Sequence, residues 1–178
     1  MKMDMLAGSG NDEFYTPYYA ILPLLKYIKK SSTIWCPFDK GSSNFVQIFE
    51  REGYIVKATH IDNGEDFFNL DIDCDYIISN PPYSLKGEVF KRLFLLGKPF
   101  AMLVGVVGLF EGERYNIFSQ HNFEMMYFDR RISYYSNEAC KELSNPPFSS
   151  VYVCSNILPK QIVFECLPKV KSNTRSLF

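Results

Sequence analysis

Apolar residues recur along the chain at two spacings, one of a helix and one of a strand. From Pro17 to Lys30 they fall at Tyr18, Ile21, Leu22, Leu25 and Ile28, which predicts a helix with one buried face and Pro17 in its first turn. Thr33 to Cys36 is a short apolar run stopped by Pro37, which predicts a strand ending in a loop. Ser43 to Glu52 predicts a helix with Phe45, Ile48 and Phe49 on one side and Gly53 as its stop. Tyr54 to Ile61 is β-branched enough for a second strand, and Asp75 to Ser79 predicts a third that runs into two prolines. Ser84 to Leu96 predicts a helix capped by Ser84 and ended by Gly97. Phe100 to Val107 is continuously apolar, as in a strand buried on both faces.

This order of strands and helices with short joints predicts a parallel α/β sheet with helices on both sides. Further on, Phe123 to Phe128, Ser150 to Ser155 and Gln161 to Cys166 read as strands without long helices between them, which fits an antiparallel edge. In open α/β sheets ligands bind beyond the carboxyl ends of the strands. Chemistry is therefore sought in 36–44, 60–66, 80–83 and 107–110.

Composition narrows the class. With 178 residues, 47% hydrophobic and 22% charged, the chain is an ordinary globular domain, which excludes disorder, collagen and coiled coil. Nineteen basic against 20 acidic residues give a net charge of −1, so nucleic-acid binding would need a local patch. Five cysteines without a C-x-x-C pair are expected as buried, reduced thiols, and no His/Cys set has zinc spacing, so no metal is expected. The absence of a leader-like or membrane-length apolar run predicts a soluble, cytoplasmic protein without membrane partners. Residues 1–10 and the basic stretch 168–178 are expected to be flexible, leaving 11–167 as one domain.

The informative tetrad is Asn80-Pro81-Pro82-Tyr83, between a predicted strand and a predicted helix. Two prolines hold a rigid, extended bend. Such a bend can aim the Asn80 side chain and the Pro81 carbonyl, both acceptors, at one exocyclic amino group, while Tyr83 supplies a ring to stack on a planar base. A second tetrad, Asn145-Pro146-Pro147-Phe148, follows no buried strand and is expected to be a loop entering the strand near Ser149.

In that context the tetrad resembles the catalytic motif of the amino-methyltransferases, above all the DNA adenine-N6 methyltransferases. Phe14-Tyr15-Thr16-Pro17 resembles their cofactor-binding Phe-x-Thr-Pro, N-terminal as in the gamma-type order. Gly64-Glu65-Asp66-Phe67-Phe68 resembles the segment before their catalytic strand. The likeness covers roughly residues 11 to 166 and is nearest to the small enzymes of phages and prophages. It implies a Rossmann-like methyltransferase fold, S-adenosylmethionine as cofactor and DNA as substrate. Asn80, Pro81, Pro82 and Tyr83 would be catalytic. Phe14, Tyr15, Thr16, Pro17, Asp66 and Phe67 would contact the cofactor, with Asp66 accepting from its adenine amino group.

The first-strand loop departs from the family's Asp-Pro-x-x-Gly-x-Gly. Pro37 is kept, only Gly41 remains, Asp39 stands in for the acidic residue and Ser43 for the second small one. The family's ribose-binding acid at the end of the second strand is replaced by His60 or Asp62; a carboxylate accepts two hydroxyl bonds and a neutral imidazole one. Lys86 and Arg131, with Lys40, Lys91, Arg92 and Arg130, are candidates for a phosphate-facing patch or for ordinary solvated charge. Phe110 and Phe148 either wall a pocket or pack in the core. RNA or protein glutamine as substrate, and a non-catalytic binder of this fold with an anti-defence or regulatory role, are the alternatives. No separate target-recognition domain fits, so short loops such as 108–120 and 136–147 or a second subunit would carry specificity, in a monomer or homodimer.

Overall fold

The computed structural model describes residues 15–135 and 148–169. Expectations for Phe14, Cys140, the tetrad residues Asn145 to Pro147 and the two ends lie outside those residues. Seven strands form one sheet: β1 (Thr33–Cys36), β2 (Ile55–Ala58), β3 (Tyr76–Ser79), β4 (Phe100–Gly105), β5 (Glu124–Phe128), β6 (Ser150–Ser155) and β7 (Ile162–Glu165). The helices are α1 (Asn44–Arg51), α2 (Lys86–Leu96) and α3 (Glu113–Ser119).

The spatial order is β2-β1-β3-β4-β6-β5-β7. The first four are mutually parallel, β6 runs antiparallel between β4 and β5, and β7 is parallel to β5. The chain moves outward from β1 to β2, then returns to lay β3 on the other side of β1. That reversal opens a crevice between the carboxyl ends of β1 and β3, where ligands bind in open α/β sheets.

Alternation along the strands sends side chains to two cores. Ile34, Cys36, Ile78, Ala101 and Leu103 face a layer with Leu24, Phe45, Ile48 and Phe49. Trp35, Ile77, Phe100, Met102 and Val104 face a layer with Phe67, Val89, Phe90, Leu93 and Phe118. Every residue of β4 is buried, as its unbroken apolar run predicts. No helix among the described residues is long and apolar enough to cross a membrane.

Four local expectations are corrected. Residues 18–27 form two 3-10 stretches, Tyr18–Ala20 and Leu22–Tyr27, instead of one α-helix. Pro23 has no N–H to donate, and its ring would clash with the Tyr19 carbonyl in an α-helix. The chain closes i→i+3 bonds instead, Ala20 N to Pro17 O and Leu24 N to Ile21 O, both at 3.0 Å. Ser84 does not cap α2. Leu85 is the N-cap without a side-chain bond, because Pro82 O already accepts from Leu85 N in a tight turn over Tyr83–Leu85. The stretch 108–120, expected as a loop, contains α3. Its Phe118 packs among Phe90, Phe94, Phe110 and Phe123, a tertiary drive that a short segment does not display. Among the cysteines, Cys36 and Cys154 are buried, Cys74 is half-buried and Cys166 is exposed.

Candidate functional site

A cleft of about 1040 Å³ opens at the carboxyl ends of β1, β2 and β3. Its lining unites five segments that are distant in sequence, one of them reaching it through Tyr135. Tyr15 and Thr16 come from the N-terminal side, Pro37, Asp39 and Ser43 follow β1, His60, Asp66 and Phe67 follow β2, and Asn80, Pro81 and Pro82 follow β3. Pro17 is buried as the N-cap of the first 3-10 stretch and lines nothing there.

Asp39 and Ser79 bridge the crevice. Ser79 Oγ, at the last position of β3, donates to Asp39 Oδ2. Ser43, the N-cap of α1, accepts from Val46 N at 3.3 Å and also hydrogen-bonds Asp39. Burial pushes the Asp39 carboxyl up to about 6, and these two hydroxyls only partly offset it. Gly41 is exposed, and a Cβ there would meet no protein atom within 4 Å. The protein's own packing therefore does not demand the one glycine kept from the loop.

After β2 the chain makes the 3-10 turn Ile61–Asn63, closed by Gly64 in the left-handed region at φ 77°. His60 Nδ1 accepts from Asp62 N at 3.1 Å. In the neutral imidazole the proton then sits on Nε2, so His60 offers a donor to a ligand, where the sequence suggested an acceptor. Asp62 lies outside the cleft; it pairs with Lys40 at 2.7 Å, which holds its carboxyl below the usual range. The carboxylate that does line the cleft beside His60 is Glu65, whose Oε2 accepts from His60 N at 3.4 Å. Sequence reasoning gave the place of the carboxylate after β2 to His60 or Asp62; Gly64, the turn residue just before Glu65, was the available signal. Asp66 lines the cleft and also closes its own turn, accepting from Phe68 N at 3.0 Å and Asn69 Nδ2 at 2.8 Å.

Aromatic rings floor the cleft. Phe67 is 2% exposed, with Trp35 at 5.4 Å and Phe38 at 5.0 Å between ring centroids. Phe67 thus supports the half-buried Phe38, which sequence reasoning did not single out. Arg92 braces this loop from α2, donating to Phe67 O at 2.9 Å and Leu70 O at 2.6 Å.

The tetrad divides at its last residue. Asn80, Pro81 and Pro82 line the cleft, whereas Tyr83 lies outside it. Asn80 Nδ2 donates to Thr16 Oγ1 at 3.2 Å, which fixes the amide's orientation, and Asn44 Nδ2 holds Thr16 O at 2.9 Å. The Tyr83 ring meets Phe148 edge-on at 5.4 Å, and its hydroxyl donates to Tyr134 at 3.3 Å. Phe148 also lies 6.0 Å from the Tyr134 ring, so the aromatic residue of the second tetrad packs on that of the first. Phe110, by contrast, packs on Phe118 and Phe123.

Two of the six candidate patch cations, Lys86 and Arg92, turn inward. Lys86 is 9% exposed, donates to Val107 O at 3.3 Å and lies 5.3 Å from the Tyr83 ring centre. Arg92 is occupied by the loop carbonyls, and Arg130 donates to Leu167 O and Pro168 O, both at 2.7 Å. Arg131 and Lys91 are exposed. Among the described residues, no three His, Cys, Asp or Glu side chains gather to hold a metal ion.

No family model and no curated protein matches the sequence. Among solved structures, the chain is similar to a putative class I S-adenosylmethionine-dependent methyltransferase from Listeria monocytogenes. The identity is 15% and the TM-score 0.54, over 92% of this chain and 68% of that one. It is also similar to precorrin-6y C5,15-methyltransferase from Geobacter metallireducens, at 12% identity and TM-score 0.47, over 81% of this chain and 92% of that one. The Listeria likeness shows the fold: the Rossmann-like fold of class I S-adenosylmethionine-dependent methyltransferases, with its antiparallel strand inserted near one edge.

Proposed function

We propose that the protein is an S-adenosylmethionine-dependent methyltransferase that methylates the N6 amino group of adenine in DNA. One observation carries the reading: Asn80, Pro81 and Pro82 share a cleft with the acidic and aromatic residues that follow β1 and β2. The residues fit the cofactor. Asp39 and Glu65 supply carboxylates for its cationic and hydroxyl groups, His60 a donor, Asp66 an acceptor for an adenine amino group and Phe38 a ring face. Tyr15, Thr16, Pro37 and Ser43 complete the wall.

When bound, the cofactor supplies an electrophilic methyl group on a positively charged sulfur. Asn80 Oδ1 and the Pro81 carbonyl accept the two hydrogens of the target amine, which aims its lone pair away from them. Tyr83 stacks on the base, a contact worth ~1–3 kcal/mol. In duplex DNA the base is first flipped out of the helix. No strong base is required, because the leaving group is a neutral thioether and the proton departs afterwards. Positioning and electrostatics do the work.

The inward turn of Lys86 and Arg92 favours a second reading with the same chemistry on a protein glutamine amide, since it removes two candidate contacts to a nucleic-acid phosphate. Incubation with labelled cofactor and equal masses of DNA, RNA and protein, followed by digestion, separates these. The proposal expects N6-methyladenine in the DNA digest and none from Asn80→Ala. No labelled product, or equal product from the variant, would falsify it.

A further inference from the structure

The two ends of the tetrad are gripped by segments that are themselves tied together. Asn80 bonds the Thr16 hydroxyl at 3.2 Å. Tyr83 donates to the Tyr134 hydroxyl at 3.3 Å, and Tyr134 donates to Ser150 Oγ at 2.8 Å. Tyr15 and Tyr135, the neighbours of Thr16 and Tyr134, form an antiparallel bridge with backbone bonds of 3.3 and 3.0 Å. Ser133 N adds a third tie, to the Tyr19 hydroxyl at 3.0 Å. The circuit runs from Asn80 through 15–16 and 134–135 back to Tyr83.

Tyr134 is 0% exposed and Ser150 is buried at the start of β6. Burial pushes the Tyr134 hydroxyl up to about 12, so it remains a donor at any working pH. A buried hydroxyl that both accepts from and donates to fixed partners has little freedom to reorient. A tyrosine ring anchored at its hydroxyl has both ends held, because its Cα already sits in the turn after Pro82.

We propose that Tyr134 is a positioning residue for Tyr83: the Tyr83–Tyr134–Ser150 hydroxyl chain sets the plane in which Tyr83 meets the target base. The Tyr15–Tyr135 bridge joins that setting to Asn80, so base stacking and amine orientation are built as one unit. This inference rests on the methyltransferase reading above. It separates from that reading because Tyr134 does not line the cofactor cleft.

The experiment compares methylation kinetics of wild type, Tyr134→Phe, Tyr83→Phe and the double variant on an oligonucleotide, with cofactor affinity by calorimetry. Each single variant is expected to lower kcat/KM for the oligonucleotide about 3- to 10-fold, the range for one lost hydrogen bond, with cofactor Kd unchanged. The double variant should be no worse than Tyr83→Phe, since both cut one chain. Ser150→Ala cuts it at the far end and should lower the same constant without multiplying the Tyr134→Phe loss, which covers a poorly folding Tyr134→Phe. Losses that multiply, an unchanged kcat/KM in Tyr134→Phe, or a parallel loss of cofactor affinity overturns the inference. A wild type with no product on the oligonucleotide overturns the DNA reading and the inference with it, whereas multiplying losses overturn the inference alone.

Discussion

Asp39→Asn should stabilise the protein at pH 8 and make it about 1 kcal/mol less stable at pH 4. The carboxyl is buried in the crevice between β1 and β3, and its pKa rises from 3.8 to about 6 on folding. The folded state therefore holds this proton more tightly than the unfolded state. Stability falls as pH rises from about 4 through about 6, because the unfolded chain ionises first. At ~1.36 kcal/mol per pKa unit, the loss reaches roughly 3 kcal/mol once both states are ionised. Asparagine has the same shape and no proton to lose. It keeps an oxygen for the hydroxyl of Ser79, while its NH₂ needs Ser43 to reverse its own bond, costing about 1 kcal/mol. The net gain at pH 8 is then about 2 kcal/mol, or ~4–8 °C in Tm for a chain of this length. Urea unfolding of both proteins from pH 4 to 8 measures the difference directly. A difference that is flat with pH, or a variant less stable at pH 8, would refute the reasoning. The gain should come with about tenfold or more weaker cofactor binding, since a buried charge retained at a cost to stability is expected to serve the site.

Arg92→Ala removes the donors to Phe67 O and Leu70 O and should destabilise the fold by about 1.5–3 kcal/mol, with weaker cofactor binding; thermal melts and calorimetry check both. Gly105→Ala would put a Cβ 3.2 Å from the Phe148 ring, so Phe148 must give way. Turnover on nucleic acid should drop with cofactor affinity intact, and equal kinetics would show that Phe148 does not support Tyr83. Ser43→Ala loses the α1 cap, worth ~1 kcal/mol, and should raise the pKa of Asp39 by removing one of its hydroxyl donors. The fall in stability with pH should therefore extend to higher pH in the variant. If DNA is the substrate, rising salt should weaken oligonucleotide binding in a fluorescence-anisotropy titration, because phosphate contacts release counterions.

Sequence alone was sufficient for features written in consecutive residues. The apolar run of β4, the Gly53 and Gly97 stops and the strand that delivers Asn80 are all local patterns. Ser150 opens β6 as expected. Features made by distant contacts were not legible there. Nothing near Tyr83 announces Tyr134, which lies 51 residues on. Lys86 has the composition of a phosphate contact, yet its position at the start of α2 aims its ammonium at Val107. Pro23 sat in an otherwise helical pattern and outweighed it, because one missing N–H and one ring clash act on the backbone before side-chain burial can. His60 and Asp62 were balanced alternatives in sequence; the 3-10 turn sends Asp62 to Lys40 and leaves Glu65 beside His60.

The most direct test of the account is calorimetric titration of the wild-type protein with S-adenosylmethionine, beside a Glu65→Gln, Asp66→Asn double variant. The account predicts saturable one-to-one binding by the wild type and binding at least tenfold weaker in the variant, whose two carboxylates line the cleft. No heat of binding at millimolar cofactor, or equal affinity in both proteins, would contradict it.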